Sequence, residues 1–203
     1  RDLQAHDTGI LRQGLLQLVQ SQHQVIVVSL QAGKHGVPVL AVGIVLILVI
    51  LIVVGKTDSK EVSALVDMYT KRINFYNKFN ITYIPDIRNS KNLSEAQQKS
   101  AEGEAILRLL DDSDRVVLLD EKGSEFRSIE YAEWLQKRMN SGIKRLVFVI
   151  GGPYGFSEAV YSRSNEKISL SKMTFSHQII RAIFTEQLYR AFTILRHDPY
   201  HHE

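Results

Sequence analysis

Two stretches of this chain combine residue types and spacings that could do chemistry. The first, Gly151-Gly152-Pro153-Tyr154-Gly155, directly follows the apolar run Leu146 to Ile150. Glycines at the carboxyl end of a parallel strand let a ligand approach bare backbone, and that edge is where open α/β sheets bind small molecules. The same glycines would equally serve a tight turn that needs positive φ and no ligand. The spacing is not GxGxxG, which disfavours a dinucleotide site of the Rossmann kind. The second stretch runs from Ile168 to His177: a short strand, then the hydroxyl-rich Ser169-Leu170-Ser171-Lys172-Met173-Thr174-Phe175-Ser176, then a helix start. Its amides and hydroxyls could hold a polar small molecule, while Leu170 and Met173 offer apolar contact to a flat ring. Helix capping by Thr174 or Ser176 is the alternative, and it needs no ligand.

Two other motifs carry less. Val54-Gly55-Lys56-Thr57 has the end of a phosphate-binding P-loop, but Ile50 stands where that motif needs its first glycine, so the reading fails. His201 and His202 are adjacent, so on an extended tail they point in opposite directions and make poor joint metal ligands. His197 adds little to them, and no metal is expected. One of the histidines could still accept a proton, because imidazole titrates near neutrality.

The elements that must position these stretches follow from apolar periodicity. Ile47 to Val54 is a continuous β-branched run, as a strand buried on both faces requires. A helix from Asp58 or Ser59 to about Lys78 places Val62, Leu65, Val66, Tyr69 and Ile73 on one face. Ile81 to Ile84 is a short strand stopped by Pro85, and a polar loop, Asp86 to Asn92, follows. Ser94 and Gln97 have capping-box spacing and open a helix to about Leu110. Arg115 to Leu119 is the next strand, with Asp120 to Gly123 as its exit turn. Ser128 to Met139 is a helix closed by Asn140 and Gly142, and Arg145 to Ile150 another strand. The last helix, His177 to Leu195, carries Ile180, Ile183, Phe184, Leu188, Ala191, Phe192 and Leu195; its apolar surface serves the core alone or the core and a second subunit. Pro199 ends the regular structure. Strands and helices in this alternation predict an α/β fold with a parallel, helix-covered sheet.

Of 203 residues, 44% are hydrophobic and 23% charged, the composition of a globular protein able to build a core without staples. The absence of cysteine excludes disulfides, thiolate nucleophiles and Cys-based zinc, and fits a cytoplasmic protein. A formal charge of +3 permits a phosphate-rich partner without demonstrating one. The first 46 residues read as an extra segment of uncertain origin. The chain opens on Arg1 and its first methionine is Met68, which suggests a fragment, a fusion or sequence upstream of the true start. Val37 to Val54 is long and apolar enough to span a bilayer, but the sheet downstream needs Ile47 to Val54 as its first strand, so a membrane span is not expected. A cleavable leader is not expected either, because no charged n-region or small-residue cleavage pattern precedes the run.

Taken together, the motifs resemble the RlmH family of SPOUT-class methyltransferases. The resemblance rests on Lys144 to Ser157 around the glycines, on Ile168 to His177, and on Glu186-Gln187-Leu188-Tyr189-Arg190-Ala191 with the ending Pro199-Tyr200-His201-His202-Glu203. Asn89 to Gln98 also matches, and the likeness extends from about Ile47 to Glu203. It implies a SPOUT fold with a C-terminal trefoil knot over 47–203, a homodimer, and S-adenosyl-L-methionine as cofactor. The cofactor contacts it implies are Leu119, Gly152, Ser171, Lys172, Met173, Thr174, Phe175 and Ser176. The implied reaction is methylation of N3 of a pseudouridine in large-subunit ribosomal RNA, expected on the assembled ribosome because so weakly basic a domain should grip naked RNA poorly. His201, Tyr200 and Arg190 are the candidate catalytic residues, for the leaving proton and for developing negative charge. A non-catalytic ribosome-binding module that kept the fold is the alternative.

Overall fold

The computed structural model describes residues 44–87 and 92–201, together with the two-residue strand Val25–Ile26. That strand, β1, pairs antiparallel with β2 (Ile44–Val45). The rest of 1–43 lies outside the described residues, as do 88–91 of the polar loop and central motif, and the tail residues His202 and Glu203.

Five parallel strands form the main sheet: β3 (Leu48–Val54), β4 (Phe79–Ile84), β5 (Arg115–Ser124), β6 (Arg145–Ile150) and β7 (Glu166–Ile168), in the order β4-β3-β6-β5-β7. The helices between them are α1 (Lys60–Tyr76), α2 (Glu95–Leu107), α3 (Ser128–Met139) and α4 (Glu158–Arg163), and α5 (Ile179–Arg196) closes the fold. β3 pairs with β4 on one side and β6 on the other, so the apolar run read as a possible membrane span ends in a central strand. No helix among the described residues is long and apolar enough to cross a membrane.

The period-2 alternation of β3 explains the layering. Val49, Leu51 and Val53 face a core shared with Ile73 of α1, Leu135 of α3 and Phe184, Leu188 and Phe192 of α5. Ile52 and Val54 face the opposite core, with Ile106 of α2 and Val160 of α4. Both faces are therefore covered, as an all-parallel sheet demands. Crossovers towards β4 use one face (α1, α3) and those towards β7 use the other (α2, α4), as a single crossover hand requires.

Most boundaries fall near those read from the sequence, and the differences have local causes. The Ser94–Gln97 capping box forms, each side chain satisfying the other's backbone N–H. Such a cap contributes about 1 kcal/mol. Between Ser157 and Ser164 lies a helix the periodicity did not reveal, because α4 spans fewer than two turns and buries only Val160. The expected exit turn at Asp120 to Gly123 is an irregularity inside β5: pairing with β7 breaks after Leu119 and resumes at Ser124. Only glycine fits at 123, where a Cβ would stand 2.5 Å from the Ile168 backbone.

Between β7 at one edge and α5, the chain crosses the carboxyl ends of β5 and β6 to reach β3. Arg181, 1% exposed in the first turn of α5, marks the arrival by donating hydrogen bonds to the carbonyls of Val54 and Gly55 at 2.6 and 3.1 Å.

Candidate active site

The carboxyl ends of β5, β6 and β7 open into a cleft of about 670 Å³, a volume suited to a small organic ligand. Its walls are Leu119 to Lys122 leaving β5, Ile150 to Phe156 leaving β6, and the stretch from Ile168 to His177. The glycine turn and the hydroxyl-rich loop thus line one cavity. The helix after β6 lies on the opposite face from the helix after β5, so the cleft sits where the winding of the sheet reverses, the usual ligand crevice of such folds.

Each glycine of the turn has its own reason. Gly155 adopts φ +78° with open space where a Cβ would be, so conformation alone calls for glycine. Its N–H donates to the Gly152 carbonyl at 3.1 Å and closes the turn. Gly152 has no positive φ; its constraint is space. A Cβ there would stand 2.3 Å from Oε2 of Glu102, a residue of α2 that is 3% exposed.

The hydroxyl loop is partly held by its own side chains. Ser169 Oγ donates to the Ser171 carbonyl at 2.8 Å, and Ser171 Oγ accepts from the Met173 N–H at 2.9 Å. Ser176 Oγ accepts from the Ile179 N–H at 3.3 Å, the capping role open to it from the sequence. Leu119, Gly152, Ser171, Met173, Thr174, Phe175 and Ser176 all line the cleft. Lys172 does not: its side chain is 87% exposed and lies 3.9 Å from Glu125. Leu119, Ile150, Leu170 and Ile180 make part of the lining apolar, while backbone and hydroxyls supply the polar contacts. That mixture suits a small molecule with a flat ring and polar groups.

Sequence reasoning missed several residues here. Tyr161 donates to Asp120 at 2.5 Å across the cleft, and burial followed by that bond holds its pKa above the usual phenol value. Lys99 of α2 and Lys122 of β5 also line the cleft. Glu102 lies behind the glycine turn, its Oε1 accepting from Gln98 Nε2 at 2.8 Å. Burial raises its pKa, opposed by the Gln98 bond and His177 and assisted by Asp86. The available signal was Gly103 inside a helical pattern, since a mid-helix glycine points to close packing. At 103 a Cβ would stand 2.2 Å from Ser157 Oγ.

Arg190, Tyr200 and His201 come together, but none of them lines the cleft. Arg190 lies about 18 Å along α5 from Gln178, at 1.5 Å per residue. Tyr200 packs edge-on against Tyr189 with ring centroids 4.7 Å apart, and its hydroxyl donates to Glu186 Oε1 at 3.1 Å. The Arg190 guanidinium sits 4.9 Å from the Tyr200 ring centre, and its Nη1 lies 3.5 Å from His201 Nδ1. Burial, then the Tyr69 hydroxyl and Glu186, raise the Tyr200 pKa, so this phenol donates a hydrogen bond and is a poor base. Among the described residues no group of three or more His, Asp or Glu is placed to hold a metal ion.

A parallel α/β domain with a cleft at its carboxyl edge belongs to the class of folds that bind small molecules there, and comparison with known proteins narrows it. A family model described as "Predicted SPOUT methyltransferase" matches residues 47–201. The chain is 62% identical over 152 residues to Ribosomal RNA large subunit methyltransferase H of Christiangramia forsetii, covering 75% of this chain and 97% of that protein. It is 61% identical over 153 residues to the protein of that name from Flavobacterium johnsoniae, covering 75% and 98%. To that of Porphyromonas gingivalis it is 56% identical over 155 residues, covering 76% and 99%. The chain belongs to the SPOUT methyltransferase family, in its RlmH branch.

Proposed function

We propose that this chain transfers a methyl group from S-adenosyl-L-methionine to N3 of a pseudouridine in large-subunit ribosomal RNA. In this reading it acts in the cytoplasm on the assembled ribosome, as a homodimer whose 47–203 domain carries the C-terminal trefoil knot. The observation that carries it is the shared cleft. The glycine turn and the hydroxyl loop, distant in sequence, face one cavity, in a chain whose relatives are named ribosomal RNA methyltransferases.

The cofactor, when bound, supplies an electrophilic methyl on a sulfonium. The residues of this chain hold, orient and move one proton. Backbone of the 151–155 turn and of the loop around Ser171, Thr174 and Ser176 would anchor the polar parts, with Leu119, Leu170 and Met173 against the flat ring. Holding two reactants in line is itself a large part of such catalysis. The N3 proton of the target base must leave before or during transfer, and a positioned base contributes about 10²–10⁴-fold. His201 is the candidate acceptor, with Tyr200 and Arg190 steadying it and the developing charge.

The distance of that cluster from the cleft along α5 supports its serving the cleft of a second copy. Phe75, 84% exposed near the end of α1, and the exposed Leu65 supply apolar surface on the helix that packs against α5 and the tail.

The test is mass spectrometry of ribosomal RNA after incubation with protein and labelled S-adenosyl-L-methionine, using free RNA and intact particles. Label at one pseudouridine, far above background only in particles, is expected; equal incorporation into both contradicts the ribosome as substrate. Calorimetry showing no cofactor binding would favour the non-catalytic RNA-binding module.

A further inference from the structure

The helix α2 touches the glycine turn at both its ends. Gly103 lies against Ser157, the N-cap of α4, so closely that a Cβ would meet Ser157 Oγ at 2.2 Å. One residue earlier, the Glu102 carboxyl occupies the space that a side chain at 152 would take. A glycine in a helix interior destabilises the helix against alanine, so position 103 gives up helix stability to permit this approach. Glu102 is buried, yet among the described residues its Oε2 has no hydrogen-bond partner. The proton-transfer and cofactor roles assigned above use neither residue.

We propose that Glu102 is the positioning residue of the glycine turn: its carboxyl, lodged under Gly152 and tied to Gln98, holds residues 151–155 in the shape that forms the cleft wall. This rests on the cleft being the cofactor site. Burial favours the neutral acid over the carboxylate here, and among the described residues Oε2 has no partner that would hold a charge. An unpaired neutral hydroxyl is costly in a buried site, and an unpaired carboxylate costs far more. The charged groups that act on it are Asp86, after β4, which favours the neutral form, and His177, at the entry to α5, which opposes it. Ionisation draws water to Oε2 and pushes the turn away from α2. Rising pH therefore loosens this wall.

Hydrogen exchange of the 151–156 segment reads this without any ligand. In the parent protein, protection corrected for intrinsic rates falls about tenfold as pH is raised through the titration of this carboxyl. Glu102→Gln, a neutral isostere, keeps the segment protected throughout, and Glu102→Ala exchanges about tenfold faster than the parent at the low-pH end. Calorimetry with S-adenosyl-L-methionine follows the same order: the parent loses affinity as pH rises, and E102Q does not. A pH dependence that persists in E102Q, or parent protection that does not change with pH, overturns the proposal, and E102Q alone decides this should E102A fail to fold. A parent that binds no cofactor at any pH refutes the methyltransferase reading instead, and the exchange data still judge Glu102.

Discussion

Arg181 at the start of α5 donates from Nη2 to the Val54 carbonyl at the end of β3, 2.6 Å away. Its other donors reach the Gly55 carbonyl, Thr57 Oγ1 and the His177 carbonyl at 2.9–3.1 Å. One guanidinium thus joins the first strand of the sheet to the end of the hydroxyl loop. Burial lowers its pKa, partly opposed by Tyr83, Asp58 and Asp86, but an arginine remains charged.

Replacing this fork should damage both stability and the cleft. Arg181→Met strands several buried acceptors and should cost about 3 kcal/mol, since each buried acceptor left unpaired costs about 1–3 kcal/mol. Thermal unfolding should show Tm lower by roughly 6–12 °C. Arg181→Lys keeps charge but not the fork, and should still lose cofactor affinity. An unchanged Tm in R181M would contradict the clasp.

Gly152 and Gly155 should fail for different reasons, which a double-variant cycle separates. Gly155→Ala forces alanine into a left-handed backbone and should cost about 1–2 kcal/mol regardless of Glu102. Gly152→Ala needs only room, so its cost should shrink when Glu102 is also replaced by alanine. The coupling should be about 1 kcal/mol or more, read by denaturant unfolding. Additive costs for 152 and 102 would show that the two do not touch.

Glu166 supplies the main acid-sensitive tie. Burial acts to raise its pKa, but hydrogen bonds from Arg138, Trp134 and Arg115 and the Arg138 charge outweigh burial and hold it at about 2 against an ordinary 4.5. A depressed carboxyl contributes stability that is present above the unfolded value and lost as pH falls from 4.5 towards 2. Glu166→Gln should therefore be less stable by on the order of 2 kcal/mol at neutral pH, with the gap closing in strong acid. Parallel melts across pH would show it, and a gap independent of pH would refute it.

The division of labour between copies is testable by mixing. A dimer carrying Gly152→Ala in one chain and His201→Ala in the other has one intact cleft facing one intact tail if tails act across the interface. Random pairing should then restore about a quarter of parent methyl transfer, since half the dimers are mixed and each has one working site of two. No recovery above the separate variants would place cleft and tail in the same chain.

The sequence by itself determined what depends on near neighbours. The apolar run Ile47 to Val54 read as a strand buried on both faces in preference to a membrane span, and Ser94 with Gln97 as a helix start, because hydrophobic period and cap chemistry act over a few residues. It also marked the two loops, since glycine and hydroxyl side chains advertise unusual backbone. Tertiary structure alone decided which loops share a cavity and what lies behind them. Glu102 reads in sequence as one more charge on a polar helix, and becomes part of the site only because the sheet order brings α2 under the turn after β6. Arg190, Tyr200 and His201 entered as candidate catalytic residues, and only the structure shows that they pack together far along α5 from the loop that precedes it. Contacts across such sequence separations follow from strand order and helix direction, which no local pattern of residue types encodes.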